Sequence, residues 1–175
     1  MHKKAAVALF LLMLLISVTA SAKGRTVKVT IAGGQLAHPI MLDEDIVKQF
    51  GVWAGAGVNI NGIPQTSGFI IDWSQGTVEP PKEGLARHTV SFYAGCKIGQ
   101  DFGCKTETPL LSYVVVYAYE PSTDKGYVYL PGKGEEWYSL NIQSIFRKLE
   151  GQWFEATPEW ERVVNPLIEA GRVSR

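Results

Sequence analysis

The stretch Leu110–Tyr119, LLSYVVVYAY, constrains this chain more than any other part of it. It is rich in β-branched and aromatic residues, the chemistry of a strand rather than a helix. Apolar or aromatic side chains fall on both alternating faces, which predicts a central strand covered on both sides. Pro121–Gly126 is turn chemistry, and Tyr127–Leu130 returns as a second arm. Pairing Glu120 with Tyr127 puts Tyr127 and Tyr129 on one face and Tyr113, Tyr117 and Tyr119 on the other. A strand of this kind needs a sheet around it.

The remaining mature sequence supplies that sheet. Thr26–Ile31 alternates cleanly, with Val27, Val29 and Ile31 on one side, as a half-buried strand does. Pro39–Leu42 reads as a short second strand. Asp43 then fits a helix N-cap, with Ile46, Val47 and Phe50 on one helical face. Residues 55–67 are rich in Gly and Asn and read as a loop. Gly68–Trp73 and His88–Ala94 read as strands. Asn141–Glu150 fits a helix through Ile142, Ile145, Phe146 and Leu149, or a strand paired with Gln152–Glu155; the helical spacing is the stronger. The last segment carries Thr157 as N-cap, Pro158 at the first helical position and a stripe of Trp160, Val163, Val164, Leu167 and Ile168. Pro166 lies inside it and predicts a kink or an early break. With strands and helices in no βαβ rhythm, the expected fold is α+β. The expected form is mainly antiparallel β, a curled sheet or small sandwich, with two or three short helices and the C-terminal helix packed on the sheet.

The first 22 residues read as an address. His2, Lys3 and Lys4 form a basic head, Ala5–Val18 an apolar core, and Ala20-Ser21-Ala22 a small-residue exit. That order matches a cleaved secretory signal peptide, leaving residues 23–175 as one secreted or periplasmic domain. The apolar run is short for a bilayer span, which takes roughly 20 residues. No stable membrane insertion is therefore expected after cleavage. No cysteine lies near the exit, so no bacterial lipid anchor is expected. Cys96 and Cys104 enclose a short loop containing Gly99 and Gly103, and the export route predicts a structural disulfide between them. Their spacing does not suit a redox dithiol, which is usually C-x-x-C.

Charge and motifs exclude more than they include. Lys plus Arg is 17 and Asp plus Glu is 17, so a nucleic-acid binder relying on bulk charge is not expected. No phosphate loop, zinc-protease motif, nucleophile elbow or calcium loop is present, and neither a cofactor nor a metal is expected. His38 and His88 are the mature chain's imidazoles. Asp72 could share a proton with His88 if their strands pair, which gives a small secreted hydrolase as the alternative function. Ser91 cannot complete a triad, because residues three apart on one strand face opposite ways.

The surplus of tyrosines points elsewhere. Core packing alone would be served by Val and Ile, whereas tyrosine joins an apolar body to a polar tip and suits a recognition surface. Tyr127, Tyr129, Trp137 and Tyr138 are the candidate ligand-binding residues, and a glycan or a peptide or protein ligand fits them. Trp153 and Trp160 are expected in the core against the final helix. The expected function is an extracytoplasmic binding or structural domain without catalysis.

Overall fold

The computed structural model describes residues 25–60, 62–65, 68–95 and 108–173. Nine strands are present among them: β1 Thr26–Gly33, β2 Ile40–Met41, β3 Asn59–Ile60, β4 Ile63–Pro64, β5 Thr77–Val78, β6 Arg87–Ala94, β7 Leu110–Glu120, β8 Lys125–Tyr129 and β9 Trp153–Glu155. Three α-helices accompany them: α1 Glu44–Val47, α2 Tyr138–Ser144 and α3 Pro158–Gly171. Seven strands form one antiparallel sheet in the order β2-β1-β6-β7-β8-β9-β5, and β3 and β4 make a separate small hairpin. The fold is a mixed α+β fold built on an antiparallel sheet, with the C-terminal helix against it.

The two faces of the sheet are chemically distinct. On the inner face Val29, Ile31, Val90, Phe92, Tyr113, Val115, Tyr117, Val128, Leu130 and Phe154 are fully buried. Trp160, Val164 and Ile168 of α3 belong to the same core, with Val47, Phe50 and the buried stretch Phe69–Ile71. Burying each of those three α3 side chains is worth about 1.5–3 kcal/mol, so tertiary packing holds this helix. Its N-terminus is capped as expected: the Thr157 hydroxyl accepts from the Trp160 N–H at 3.3 Å, and Pro158 follows the cap. The expected break at Pro166 does not occur, and the helix continues to Gly171. The carbonyl that Pro166 leaves without a donor belongs to Arg162, and both residues lie on the exposed side of the helix, where an unpaired carbonyl costs little.

The central hairpin forms two residues out of the expected register. Glu120 pairs with Lys125, Tyr119 with Gly126, Ala118 with Tyr127 and Val116 with Tyr129. The loop is Pro121–Asp124, closed by Asp124 in the left-handed region at φ 53°. A slip of two preserves the side-chain face, so Tyr127 and Tyr129 still lie opposite the face of Tyr113 and Tyr117.

Other expectations need correcting. Gly68–Trp73 is not a strand: Ile71 makes a single bridge to Ala156. Asp72 then starts a 3-10 turn by accepting the Ser74 N–H at 3.0 Å. Phe69, Ile70 and Ile71 are all buried, so their apolar run covers the core instead of extending the sheet. The helix expected over Asn141–Glu150 lies earlier, at Tyr138–Ser144. Beyond it Lys148 is left-handed at φ 62°, and the Glu150 carboxylate accepts the N–H groups of Arg147 and Leu149, which makes a loop. Trp153 lies on the outer face of the sheet rather than under α3. Cys96 and Cys104 fall in 96–107, outside the described residues, as does the expected signal peptide over residues 1–22. No disulfide bond is present among the described residues, and the expected Cys96–Cys104 bridge is withdrawn.

Asn141 explains how α2 is seated. Pro131 ends the β8 arm and brings no N–H donor to the sheet. At the neighbouring stretch of β7, the Asn141 amide takes the place of a strand. Its Oδ1 accepts the Val114 N–H at 2.8 Å, and its Nδ2 donates to the Val114 carbonyl at 2.7 Å. The side chain is completely buried, so both backbone groups depend on it.

Candidate functional site

On the outer face of β6 to β9, side chains from four strands meet. Alternation places Arg87 and Thr89 of β6, Val116 and Ala118 of β7, Tyr127 and Tyr129 of β8, and Trp153 and Glu155 of β9 on this side. Tyr129 opposes Trp153, and their ring centroids lie 5.0 Å apart at 33°. The Arg87 guanidinium sits over Trp153, 5.4 Å from its centroid. Tyr127 pairs across to Ala118 on one side and Glu155 on the other. Tyr127 and Tyr129 are half-buried, whereas Tyr113 and Tyr117 on the inner face are fully buried.

The loop from Pro131 to Tyr138 borders this surface. Its anchor is Glu135, whose Oε2 accepts the Tyr129 hydroxyl at 2.8 Å and the Gly132 N–H at 2.6 Å. Burial, and then Glu135, raise the Tyr129 pKa above the usual phenol value, so the hydroxyl stays a donor. Trp137 ends the loop in the left-handed region at φ 71°, a conformation costing a bulky residue about 1–3 kcal/mol. Its carbonyl accepts the Asn141 N–H at 2.9 Å and so opens α2. Trp137 and Tyr138 are both half-buried. Of the expected ligand-binding residues, Tyr127 and Tyr129 share the sheet face, while Trp137 and Tyr138 stand on its border. Arg87, Trp153 and Glu135 are additions.

Asp72 and His88 are not brought together. His88 is on β6, and Asp72 follows Ile71, which bridges to Ala156 beside β9. Strands β7, β8 and β9 lie between, so four strand spacings separate the two along the sheet, about 19 Å. Asp72 borders a cleft of about 360 Å³ with Gln49, Phe50, Phe69, Trp73 and Thr157, and His88 takes no part in its lining. The Asp72 carboxylate is held below its usual pKa by its bonds to the Ser74 hydroxyl and N–H. His88 is 2% exposed on the inner face, and its Nδ1 has no hydrogen-bond partner. A Cβ at Gly34 would stand 2.3 Å from the His88 Cε1, so only glycine fits above the ring. Burial lowers the His88 pKa; the Gly33 carbonyl opposes this and the Arg172 charge adds to it. A neutral, enclosed imidazole remote from Asp72 is not poised for acid–base work. His38 is exposed. Among the described residues no cluster of three His, Cys, Asp or Glu could hold a metal ion.

The most unusual electrostatic feature is Arg147, which nothing in the sequence marked. It is 3% exposed and has no carboxylate on its guanidinium among the described residues. Nε donates to the Tyr113 hydroxyl at 3.1 Å, Nη2 to the Val52 carbonyl at 2.7 Å, and Nη1 to the carbonyls of Ala54, at 2.9 Å, and Ala56. Phe69, Trp73 and Tyr113 surround it, with centroids 5.0–5.2 Å away. Burial lowers its pKa, and Tyr113 opposes the shift. The group remains a cation and acts as a clamp, tying three carbonyls of the 52–56 loop to the core.

Comparison with known proteins gives no match: no family model, no curated protein and no solved structure is significantly similar to the chain. Among the described residues no helix is long and apolar enough to cross a membrane.

Proposed function

We propose that this chain is an exported, non-catalytic binding domain whose ligand surface is the outer sheet face around Arg87, Tyr127 and Tyr129, supported from below by the buried Trp153. One observation carries the reading. The same two strands bury Tyr113 and Tyr117 completely on one side and leave Tyr127 and Tyr129 half open on the other. Rings joined to a guanidinium and to hydroxyls, on a rigid sheet, suit recognition of a ligand with both an apolar and a polar side, as a glycan has. The basic head, apolar core and Ala20-Ser21-Ala22 exit support export. The separation of Asp72 from His88 supports a role without catalysis.

A glycan-array screen of residues 23–175 tests this. The expected result is retention of at least one glycan class, lost when Tyr127 and Tyr129 are both replaced by serine, with thermal stability preserved. Binding that survives the double substitution, or no glycan retained, overturns the proposal.

A further inference from the structure

We propose that the ligand is an acidic polysaccharide, whose carboxylates are read by Arg87 and Lys28. The inference rests on the ligand surface proposed above and adds its chemical class. The outer face of β6 carries Arg87, Thr89, Ser91 and Tyr93 at alternate positions, a row about 20 Å long at the strand's rise per residue. A cation lies against an aromatic ring at each end. Arg87 is 5.4 Å from the Trp153 centroid, and Lys28, opposite Tyr93 on β1, is 4.8 Å from the Tyr93 centroid. Between them Thr89, Ser91 and Thr30 are half-buried, with hydroxyls along the strip.

The balance of charge on this face selects the ligand. Its carboxylates are engaged: Glu120 by Lys82 at 2.7 Å, Glu155 by Lys125 at 2.5 Å, and Glu135 by the Tyr129 hydroxyl and the Gly132 N–H. Lys82 and two hydroxyls hold the Glu120 pKa low, so that carboxylate is ionised and already satisfied. Arg87 and Lys28 have no carboxylate partner among the described residues. Glu135 keeps its charge because both its donors are neutral, so two unpaired cations stand against one unpaired carboxylate and the excess charge is positive. A guanidinium meets a carboxylate in bidentate geometry, which an ammonium cannot do.

Sugar rather than peptide or nucleic acid fits the remaining features. The terminal strands of the sheet, β2 and β5, are two residues each and offer little edge for an extended peptide. The even balance of acidic and basic residues provides no bulk field for a nucleic acid. A pyranose ring offers an apolar face to the half-buried Tyr127 and Tyr129 and hydroxyls to Thr89 and Ser91. A uronate residue adds the carboxylate that Arg87 and Lys28 lack.

Binding of residues 23–175 to polygalacturonate, alginate, fully methyl-esterified polygalacturonate and poly-L-glutamate tests the inference. The expected result is retention of at least one uronate polymer, with binding weakened at least about tenfold by Arg87→Gln and less by Arg87→Lys. The ester should bind more weakly and be indifferent to Arg87→Gln. Tyr129→Ser should weaken both acid and ester, and a thermal melt of each variant checks the fold. Equal affinity for acid and ester, with Tyr129→Ser weakening both, overturns the acidic-sugar inference and leaves the ligand surface standing. Insensitivity to Tyr129→Ser overturns both. Poly-L-glutamate bound as tightly as the uronates, or neither uronate bound, also overturns the inference.

Discussion

Replacing Arg147 with methionine probes the clamp that holds the 52–56 loop on the core. Methionine keeps most of the volume between Phe69, Trp73 and Tyr113 but cannot donate. The Val52 and Ala54 carbonyls, in buried residues, lose their donors at about 2 kcal/mol each. The Tyr113 hydroxyl and the half-buried Ala56 carbonyl add about 1 kcal/mol each. Against this gross loss of about 6 kcal/mol stands the relief of removing a desolvated charge, about 3 kcal/mol. The net destabilisation is about 3 kcal/mol. Urea unfolding followed by tryptophan fluorescence reads it, because Trp73 and Trp160 belong to or border the affected core. Arg147→Lys should also destabilise, since an ammonium is a single point that cannot span carbonyls served by both Nη groups. A loss under about 1 kcal/mol for Arg147→Met, at unchanged m-value, would refute the clamp.

Two further perturbations report on other parts of the fold. Asn141→Leu leaves the buried Val114 N–H and carbonyl unpaired and should cost about 3 kcal/mol, read by the same unfolding curve; a neutral result would mean that α2 does not depend on that amide. His88 gives a pH dependence with a definite sign: its folded pKa lies below the unfolded value of about 6.5, so between the two the unfolded state binds more protons. Its share of stability is present above about pH 6.5 and is lost as pH falls through the folded value. Thermal melts of the wild type and His88→Gln across that window should diverge, the variant falling less, and parallel profiles would contradict the burial of a neutral imidazole.

What was legible in the sequence is what side chains encode locally. Within Leu110–Tyr119, residues Ser112–Ala118 carry burial on both faces while Leu110 at the strand's start is exposed, and Thr157-Pro158 marks a helix start by its own chemistry. The division of the tyrosines into two faces survived a register error because the period of a strand is two. The illegible parts depend on partners distant along the chain. Arg147 binds backbone carbonyls more than ninety residues away, which leave no trace in side-chain type. Arg87 meets Trp153 because β9 joins the sheet beside β8, a pairing no local pattern announces. Phe69–Ile71 has strand composition, yet it serves as core cover, ended by the Asp72 turn. Trp153 is buried, but under Arg87 and Tyr129 rather than under α3. Periodicity identifies a face without saying which element will cover it.

The most direct test of the ligand surface is a chemical-shift titration of isotopically labelled residues 23–175 with short oligogalacturonates. The account predicts that the largest changes gather at Arg87, Thr89, Tyr127, Tyr129 and the Trp153 indole, with the inner face silent. Changes centred instead on Gln49, Asp72, Trp73 and Thr157 around the opposite cleft, or no change at saturating ligand, would contradict it.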